Sequence, residues 1–231
     1  MSRTSIAGDF HIPYQDTELV NKWLQHIKDT KPDRVIINGD LMDAGMLSKF
    51  DKVPGIDQSF KAEIELTKTF FESLRKVTDN EIVYLEGNHS FRLKKYLIDC
   101  APELWEFEEL SLESLLDLER FDVEYIGLDE KYSTFQDNYF ENQDFLVGHF
   151  SLARTGLGAT AKGLMEKYGK NIWQAHVHRF AYLAKWQYDK QIIGVEGGCM
   201  CKLDNNYRRN ANWQAGWGDI VDGEVELHVM I

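Results

Sequence analysis

The chain has 231 residues, 43% of them hydrophobic and 13% aromatic, which is enough apolar material for one globular domain and excludes a disordered chain. No run approaches the roughly 18 apolar residues of a membrane span, and the N-terminal residues lack a signal-peptide core, so we expect a cytoplasmic protein that binds no membrane. The net charge of −12 argues against tight nonspecific binding to duplex nucleic acid but does not exclude a nucleotide or oligonucleotide substrate.

The first third of the chain alternates apolar strands with amphipathic helices. Apolar and β-branched runs predict strands at 3–10, 34–38 and 81–85. Apolar residues at helical spacing predict helices at about 16–28 and 60–77. Each strand runs directly into a short polar motif that contains Asp, Asn or His. This alternation indicates an α/β architecture.

The segment 92–120 is rich in leucine and acidic residues. It predicts two helices that are interrupted at Ala101 and Pro102, because proline lacks the backbone N–H that a helix interior requires. We expect these helices to form a cap insertion beside the functional site, within a single domain that covers residues 1–231.

The second half of the chain is dominated by strands. One helix is predicted at about 155–168. Strands are predicted at 121–126, 132–135, 144–147, 171–175, 181–188, 191–195 and 224–231, of which the fifth and sixth pair around a turn at Asp189 and Lys190. Strands that alternate with helices and then follow one another indicate a sandwich of mixed sheets with helices outside.

Five strand ends carry carboxylate, amide or imidazole side chains. These side chains are Asp9 with His11, Asp40, Asn88 with His89, His149, and His176 with His178. Because ligands collect at the carboxyl ends of the strands in an open α/β sheet, we expect one cluster. Any one of these motifs alone is more typical of a turn or a structural histidine, but their joint appearance after predicted strands favours a site.

The donor set predicts a centre of two divalent transition-metal ions. Oxygen and imidazole donors suit manganese, which we favour, or iron, zinc or nickel, with magnesium as a further alternative. Asp40 stands alone in the middle of the edge and can bridge two cations about 3.5–4 Å apart. A hydroxide shared by them would attack a phosphorus atom. Cys100, Cys199 and Cys201 are too few for a disulfide framework and are predicted to be buried, reduced thiols.

Together these motifs resemble the calcineurin-like metallophosphoesterase superfamily over nearly the whole chain. They are Asp9-x-His11, Gly39-Asp40, Gly87-Asn88-His89, Gly148-His149 and Ala175-His176-x-His178. The resemblance implies a four-layer α/β/β/α sandwich of two mixed β-sheets flanked by helices. It also implies one metal on Asp9, His11, Asp40 and His178 and a second on Asp40, Asn88, His149 and His176. His89 would donate a proton to the leaving group or steady the transition state.

Two positions depart from the family pattern. Ser90 stands where the family usually has Asp or Glu, so the carboxylate that would orient His89 is missing or comes from elsewhere in the chain. Ala175 replaces a glycine, a change between small residues that should leave the metal ligands in place. Arg92 is a candidate phosphate clamp because a guanidinium grips phosphate oxygens bidentately, and the alternative is a solvated helix residue.

The tail of the chain is similar to a small phage and prophage branch of the superfamily, which would place the protein in the host cytoplasm. This similarity rests on residues 196–201, Tyr207 and residues 212–217. We favour residues 212–218 as an aromatic-anchored loop in the core, since tryptophan is normally well buried. The alternative is that a tryptophan stacks on a nucleotide base while Arg208 and Arg209 hold its phosphate.

The function predicted from these motifs is the metal-dependent hydrolysis of a phosphodiester or phosphomonoester. The expected partner is a phosphorylated small molecule, a nucleotide or a nucleic-acid end, so the enzyme would be a phosphodiesterase, a phosphatase or a nuclease. Two alternatives are a phosphoprotein phosphatase and a non-catalytic interaction module on the same fold. An interaction module should have lost ligands, whereas all seven positions here carry residues that can bind metal, and this favours an enzyme.

Overall fold

Two mixed β-sheets lie face to face with helices on their outer faces, which confirms the four-layer α/β/β/α sandwich. The structure, a computed structural model, describes residues 2–48, 59–128, 134–203 and 212–230. Three hydrophobic cores separate the four layers. The largest lies between the first sheet and the helices of the N-terminal half, the second lies between the two sheets, and the third lies under one C-terminal helix.

The elements are short and closely spaced along the chain. The strands are β1 Arg3–Ala7, β2 Arg34–Asn38, β3 Glu81–Leu85, β4 Val123–Ile126, β5 Asn138–Asn142, β6 Phe145–His149, β7 Asn171–Gln174, β8 Phe180–Gln187, β9 Lys190–Gly197, β10 Gly216–Val221 and β11 Glu224–Val229. The helices are α1 Thr17–Thr30, α2 Phe60–Arg75, α3 Phe91–Cys100, α4 Leu112–Leu116 and α5 Ala159–Tyr168. No helix in the described ranges is long and apolar enough to cross a bilayer.

The strand order places the parallel strands at the centre of each sheet. The first sheet has the order β11-β10-β1-β2-β3-β4, in which β1 to β4 are parallel and β10 and β11 are antiparallel additions. The second has the order β5-β6-β7-β9-β8, in which β6, β7 and β9 are parallel. The carboxyl ends of the central strands therefore lie along one edge of each sheet.

Strand alternation explains how both faces of the first sheet are buried. Along β2, Val35 and Ile37 point into the helical core, whereas Ile36 points into the core between the sheets. Asp16 caps the start of α1, since its carboxylate accepts a hydrogen bond from the N–H of Leu19, and the apolar face of the helix packs into the helical core. The first β-α unit thus holds the end of β1 in a fixed position.

Several predicted bounds differ from the structure. The hairpin turn between β8 and β9 consists of Tyr188 and Asp189, one residue earlier than predicted, because Gln187 pairs with Lys190. The helix predicted from residue 155 begins only at Ala159, where Glu196 of β9 accepts hydrogen bonds from the N–H groups of Thr160 and Ala161. In the strand predicted at 132–135, residues 132 and 133 lie outside the described ranges and residues 134 and 135 are not extended strand.

The segment 92–120 forms α3, two short 3₁₀ turns and α4. The first helix ends at Cys100, just before Pro102, as the proline predicts. Leu97, Leu112 and Leu116 are buried in the same core as α2, so this segment completes the outer helical layer of the first sheet. Its function as a cap stays a prediction.

Candidate metal centre

The predicted strand ends converge on one buried cluster. The first sheet contributes Asp9 and His11 after β1, Asp40 after β2, and Asn88 with His89 after β3. The second sheet contributes His149 from β6, and His176 with His178 after β7. Five of these residues have positive φ, which is unfavourable for a residue with a side chain: Asp9, His11, Asp40, His176 and His178. Such strained backbone concentrates at functional sites.

Two glycines let the strand ends approach one another closely. A Cβ atom added at Gly39 would lie 2.2 Å from Nδ1 of His149, and one added at Gly87 would lie 2.2 Å from Oδ1 of Asp40. Any larger residue at either position would displace a predicted metal ligand, so both glycines have a steric role, and Gly39 also has a positive φ of 76°.

One side of the cluster has the geometry of a cation site. Nε2 of His11 lies 3.1 Å from Nε2 of His178, which is 3.4 Å from Oδ1 of Asp9. Nε2 of His11 also lies 3.9 Å from Oδ2 of Asp40. Oδ1 of Asp9 is buried and has no hydrogen-bond partner within the described ranges, although an unpaired carboxylate oxygen is costly to bury. A divalent cation among these donors would satisfy that oxygen.

The other side of the cluster repeats this arrangement across Asp40. Nε2 of His149 lies 3.4 Å from Oδ2 of Asp40 and 3.0 Å from Oδ1 of Asn88. Donor atoms of Asp40, His149 and His176 lie within 4.8 Å of one another. The residues present therefore fit two divalent cations, with Asp40 between them.

The charges of the cluster also favour bound cations. Burial alone would raise the pKa of Asp40, but the neighbouring His149 and His89 imidazoles hold that pKa well below its usual range. Burial would lower the pKa of His178, but the adjacent Asp9 carboxylate raises it to about 10. Burial lowers the pKa of His176 to about 4. The buried carboxylates thus favour positive charge in the cluster, which bound cations would supply while the imidazoles act as neutral ligands.

Asp43, which was not predicted as a site residue, lies between His11 and His89. Its Oδ1 is 3.2 Å from Nδ1 of each ring, and its backbone oxygen is 2.9 Å from Nδ1 of His89. The carboxylate that the family usually places after the Gly-Asn-His motif is therefore supplied from the β2 loop. Ser90 instead shares a hydrogen bond of 2.6 Å with the hydroxyl of Tyr84. Asp43 stands three residues after Asp40, behind a predicted strand, but this spacing alone does not distinguish it from a solvated aspartate.

Arg92 lies beside His89 in the first turn of α3, and its side chain is partly buried. Its Nη1 donates to the backbone oxygen of Asp43 at 2.7 Å, and its Nη2 lies 3.1 Å from Nε2 of His89. Burial lowers the pKa of His89. Arg92 therefore brings a permanent positive charge to the side of the cluster where His89 lies.

The C-terminal aromatic segment divides between the core and the site. Trp217 is buried in the helical core, as the core interpretation predicts. Trp213 is half-buried, and its ring centroid lies 4.3 Å from that of His178. Arg208 and Arg209, which the nucleotide interpretation requires, lie outside the described residues. Cys199 and Cys201 are buried free thiols as predicted, but Cys100 is exposed.

The chain is similar to known proteins in sequence and in fold. The family model described as calcineurin-like phosphoesterase matches residues 3–180. The gene 54 proteins of Mycobacterium phages D29 and L5 are 31% and 28% identical, each over 96% of this chain and over 89% and 90% of their own length. Vps29 of Chaetomium thermophilum is a distant structural likeness, with 11% identity, a TM-score of 0.47, and coverage of 100% of this chain and 97% of that chain.

The family match covers most of the chain, and the two phage relatives confirm the similarity to a phage branch. The chain belongs to the calcineurin-like phosphoesterase family.

Proposed function

We propose that this protein hydrolyses a phosphodiester or phosphomonoester with the help of two divalent transition-metal ions, of which manganese is favoured. The observation that carries the proposal is the position of Asp40. Its Oδ2 faces His11 on one side and His149 on the other, and each of these histidines belongs to a separate donor group. A single carboxylate between two donor groups is what a two-metal hydrolase requires.

The ligands divide into two sets around Asp40. Asp9, His11 and His178 would hold one ion with Asp40, and Asn88, His149 and His176 would hold the other. Bound metal ions of this kind supply a nucleophile from water near neutral pH and neutralise charge on phosphoryl oxygens.

His89 is the proton donor in this proposal. Asp43 accepts a hydrogen bond from Nδ1 of His89, and Nε2 accepts one from Nη2 of Arg92, so Nε2 would carry the proton for the departing oxygen once Arg92 turns to a phosphate. The backbone N–H of His89 donates to Oδ1 of Asp40 at 2.8 Å, which ties the ring to the residue at the centre of the ligand sets. These hydrogen bonds fix the position of His89 relative to Asp40 and its ligand sets.

The substrate we favour is a nucleotide or a nucleic-acid end. Arg92 offers a guanidinium beside His89 for a phosphate oxygen, and Trp213 offers a half-buried aromatic surface beside His178 for a base. The two groups lie next to different residues of the cluster, so a ligand with both a phosphate and a flat aromatic group could contact both. Another phosphorylated small molecule is the alternative.

The test is hydrolysis of bis-p-nitrophenyl phosphate and p-nitrophenyl phosphate by metal-stripped protein resupplied in turn with manganese, nickel, zinc and magnesium. We expect hydrolysis to return with at least one transition metal. The ratio of the diester rate to the monoester rate will indicate which class of ester the enzyme prefers. A phosphoserine peptide tests the phosphoprotein phosphatase alternative. Protein that binds two ions but hydrolyses none of these compounds, nor a panel of nucleotides and oligonucleotides, would instead be an interaction module.

Replacing Arg92 with glutamine is expected to lower kcat/KM by roughly 10- to 100-fold, the usual worth of a hydrogen bond to a charged group, while the metal content stays the same. The loss should fall mainly on KM if Arg92 binds phosphate in the ground state, and Arg92→Lys should restore part of it. Arg120→Gln is the matched control, because Arg120 is exposed and pairs with Glu72 far along the chain from the site. Equal losses in both variants would refute a phosphate contact.

A further inference from the structure

A second group of metal-binding side chains lies away from the metal centre, where α1 meets the hairpin of β10 and β11. It consists of His26 of α1, Asp219 of β10 and His228 of β11, which we call the α1–hairpin cluster. Donor atoms of the three side chains lie within 4.8 Å of one another. Asp219 pairs with Ser5 in β1, four residues before Asp9, so it lies roughly 13 Å along the strand from the metal centre.

Two buried atoms of the cluster that could bind a cation have no hydrogen-bond partner among the described residues. The side chain of Asp219 is fully buried, and its Oδ1 has no hydrogen-bond partner in the part of the chain that the structure describes. The same holds for Nε2 of His228, which is also buried. Buried polar atoms are usually paired, so these two atoms are candidates to bind a ligand.

The spacing of His228 and Asp219 does not fit a hydrogen bond. Nε2 of His228 lies 3.7 Å from Oδ2 of Asp219, which is too long for a hydrogen bond. Two donors bound to one tetrahedral zinc ion at about 2.0–2.2 Å would be roughly 3.4 Å apart, so the three ligand atoms, which lie within 4.8 Å of one another, would close on an ion bound at Oδ1. The ring of Trp217 stacks on that of His228 with centroids 5.0 Å apart and holds the imidazole in place. The ring centroids of His26 and His228 are 4.6 Å apart, so both rings border the same space.

The positive charge of Arg3 opposes the binding of a cation at this cluster. Its guanidinium contacts Oδ2 of Asp219, the oxygen that also accepts a hydrogen bond from Nε2 of His26 at 2.7 Å. Arg3 is also held by Glu226 at 2.9 Å, so it has a second carboxylate to balance its charge. An ion can then bind Oδ1 of Asp219 while Arg3 stays paired with Oδ2. His26 would give up its hydrogen bond to Oδ2 and bind the ion instead.

We propose that the α1–hairpin cluster binds one zinc ion through His26, Asp219 and His228, with water at the fourth position. Two imidazoles and one carboxylate favour zinc over magnesium and calcium, which prefer oxygen ligands. The ion would tie α1, near the start of the chain, to the C-terminal hairpin. Its role is structural, because the cluster is separated from the metal centre and shares no ligand with it.

The first experiment counts zinc in dialysed protein by mass spectrometry. Zinc-loaded wild-type protein is expected to hold three ions per chain, and His228→Gln to hold two with unchanged hydrolysis. Asp40→Ala, which should empty the metal centre, is expected to hold one, and Asp40→Ala with His228→Gln none. Glu224→Gln is the control, because Glu224 is exposed on the same strand, and it should leave these counts unchanged. Equal zinc contents with and without His228→Gln, in both backgrounds, would overturn the proposal.

The second experiment measures thermal unfolding. It also uses a second substitution, so that the proposal can be tested even if His228→Gln folds poorly. Zinc at 100 times its dissociation constant is expected to raise the Tm of Asp40→Ala by roughly 5–10 °C, and to leave the Tm of the double variant unchanged. His26→Gln, which changes a different element, should remove the same shift. A zinc-dependent rise in Tm that survives both His26→Gln and His228→Gln would show that the ion binds elsewhere and that the cluster is an ion pair of Arg3 and Asp219.

Discussion

Asp40→Ala is expected to remove both ions from the metal centre and to lower hydrolysis on the order of 10³-fold or more, because bound metal ions contribute several kcal/mol to the transition state. Its Oδ2 lies 3.9 Å from Nε2 of His11 and 3.4 Å from Nε2 of His149, so it approaches a histidine of each ligand set. Its Oδ1 also accepts the backbone N–H of His89 at 2.8 Å.

The measurement is manganese content by mass spectrometry together with the rate of p-nitrophenyl ester hydrolysis. Circular dichroism checks that the variant is folded. Asp144→Asn is the control. Asp144 is exposed in the turn between β5 and β6, so this substitution removes one acidic charge away from the cluster. Asp40→Asn keeps the shape of the side chain and should lose less metal than Asp40→Ala. An Asp40→Ala protein that keeps two ions would contradict the bridging role of Asp40.

The parts of the fold that were predictable from the sequence are the buried parallel strands. The bounds predicted for β2 and β3 agree with the structure because both strands are continuous apolar runs between polar residues. Two strands were not predicted. β5 has the sequence Asn-Tyr-Phe-Glu-Asn at a sheet edge, with little apolar pattern. β10 contains two glycines and a buried aspartate, and it is extended because β1 and β11 pair with its two sides.

The predicted site residues follow the same distinction between local and long-range information. The predicted ligands stand directly at strand ends, so the fold class alone predicts that they meet. Asp43 and Trp213 reach the cluster through loops, and their contacts with His89 and His178 depend on how distant segments pack. A turn residue such as Asp43 cannot be distinguished from a solvated aspartate by spacing alone. The sequence alone therefore does not show what orients His89.

His89→Ala is expected to keep both ions and to lower turnover by roughly 10²- to 10⁴-fold, the usual contribution of a positioned proton donor. In the proposed assignment His89 belongs to neither ligand set, although its ligand atom lies within 4.8 Å of those of His11 and Asp40, and its ring is held by Asp43 and Arg92. Its loss therefore removes a proton source without removing a ligand. The loss should be largest for alkyl phosphate esters, whose departing alkoxide needs a proton, and smallest for p-nitrophenyl esters, whose leaving group departs as a stable anion.

The measurement compares kcat for a series of esters with leaving groups of increasing basicity, with manganese content determined on the same samples. Asp43→Asn should show a weaker form of the same leaving-group dependence, because the amide can still accept a hydrogen bond from Nδ1 of His89 but no longer stabilises a charged ring. Asp43→Ala should come closer to His89→Ala. An equal loss across the whole series in His89→Ala would assign His89 to transition-state binding through its position beside Arg92, since a proton donor must act most strongly where the leaving group is most basic.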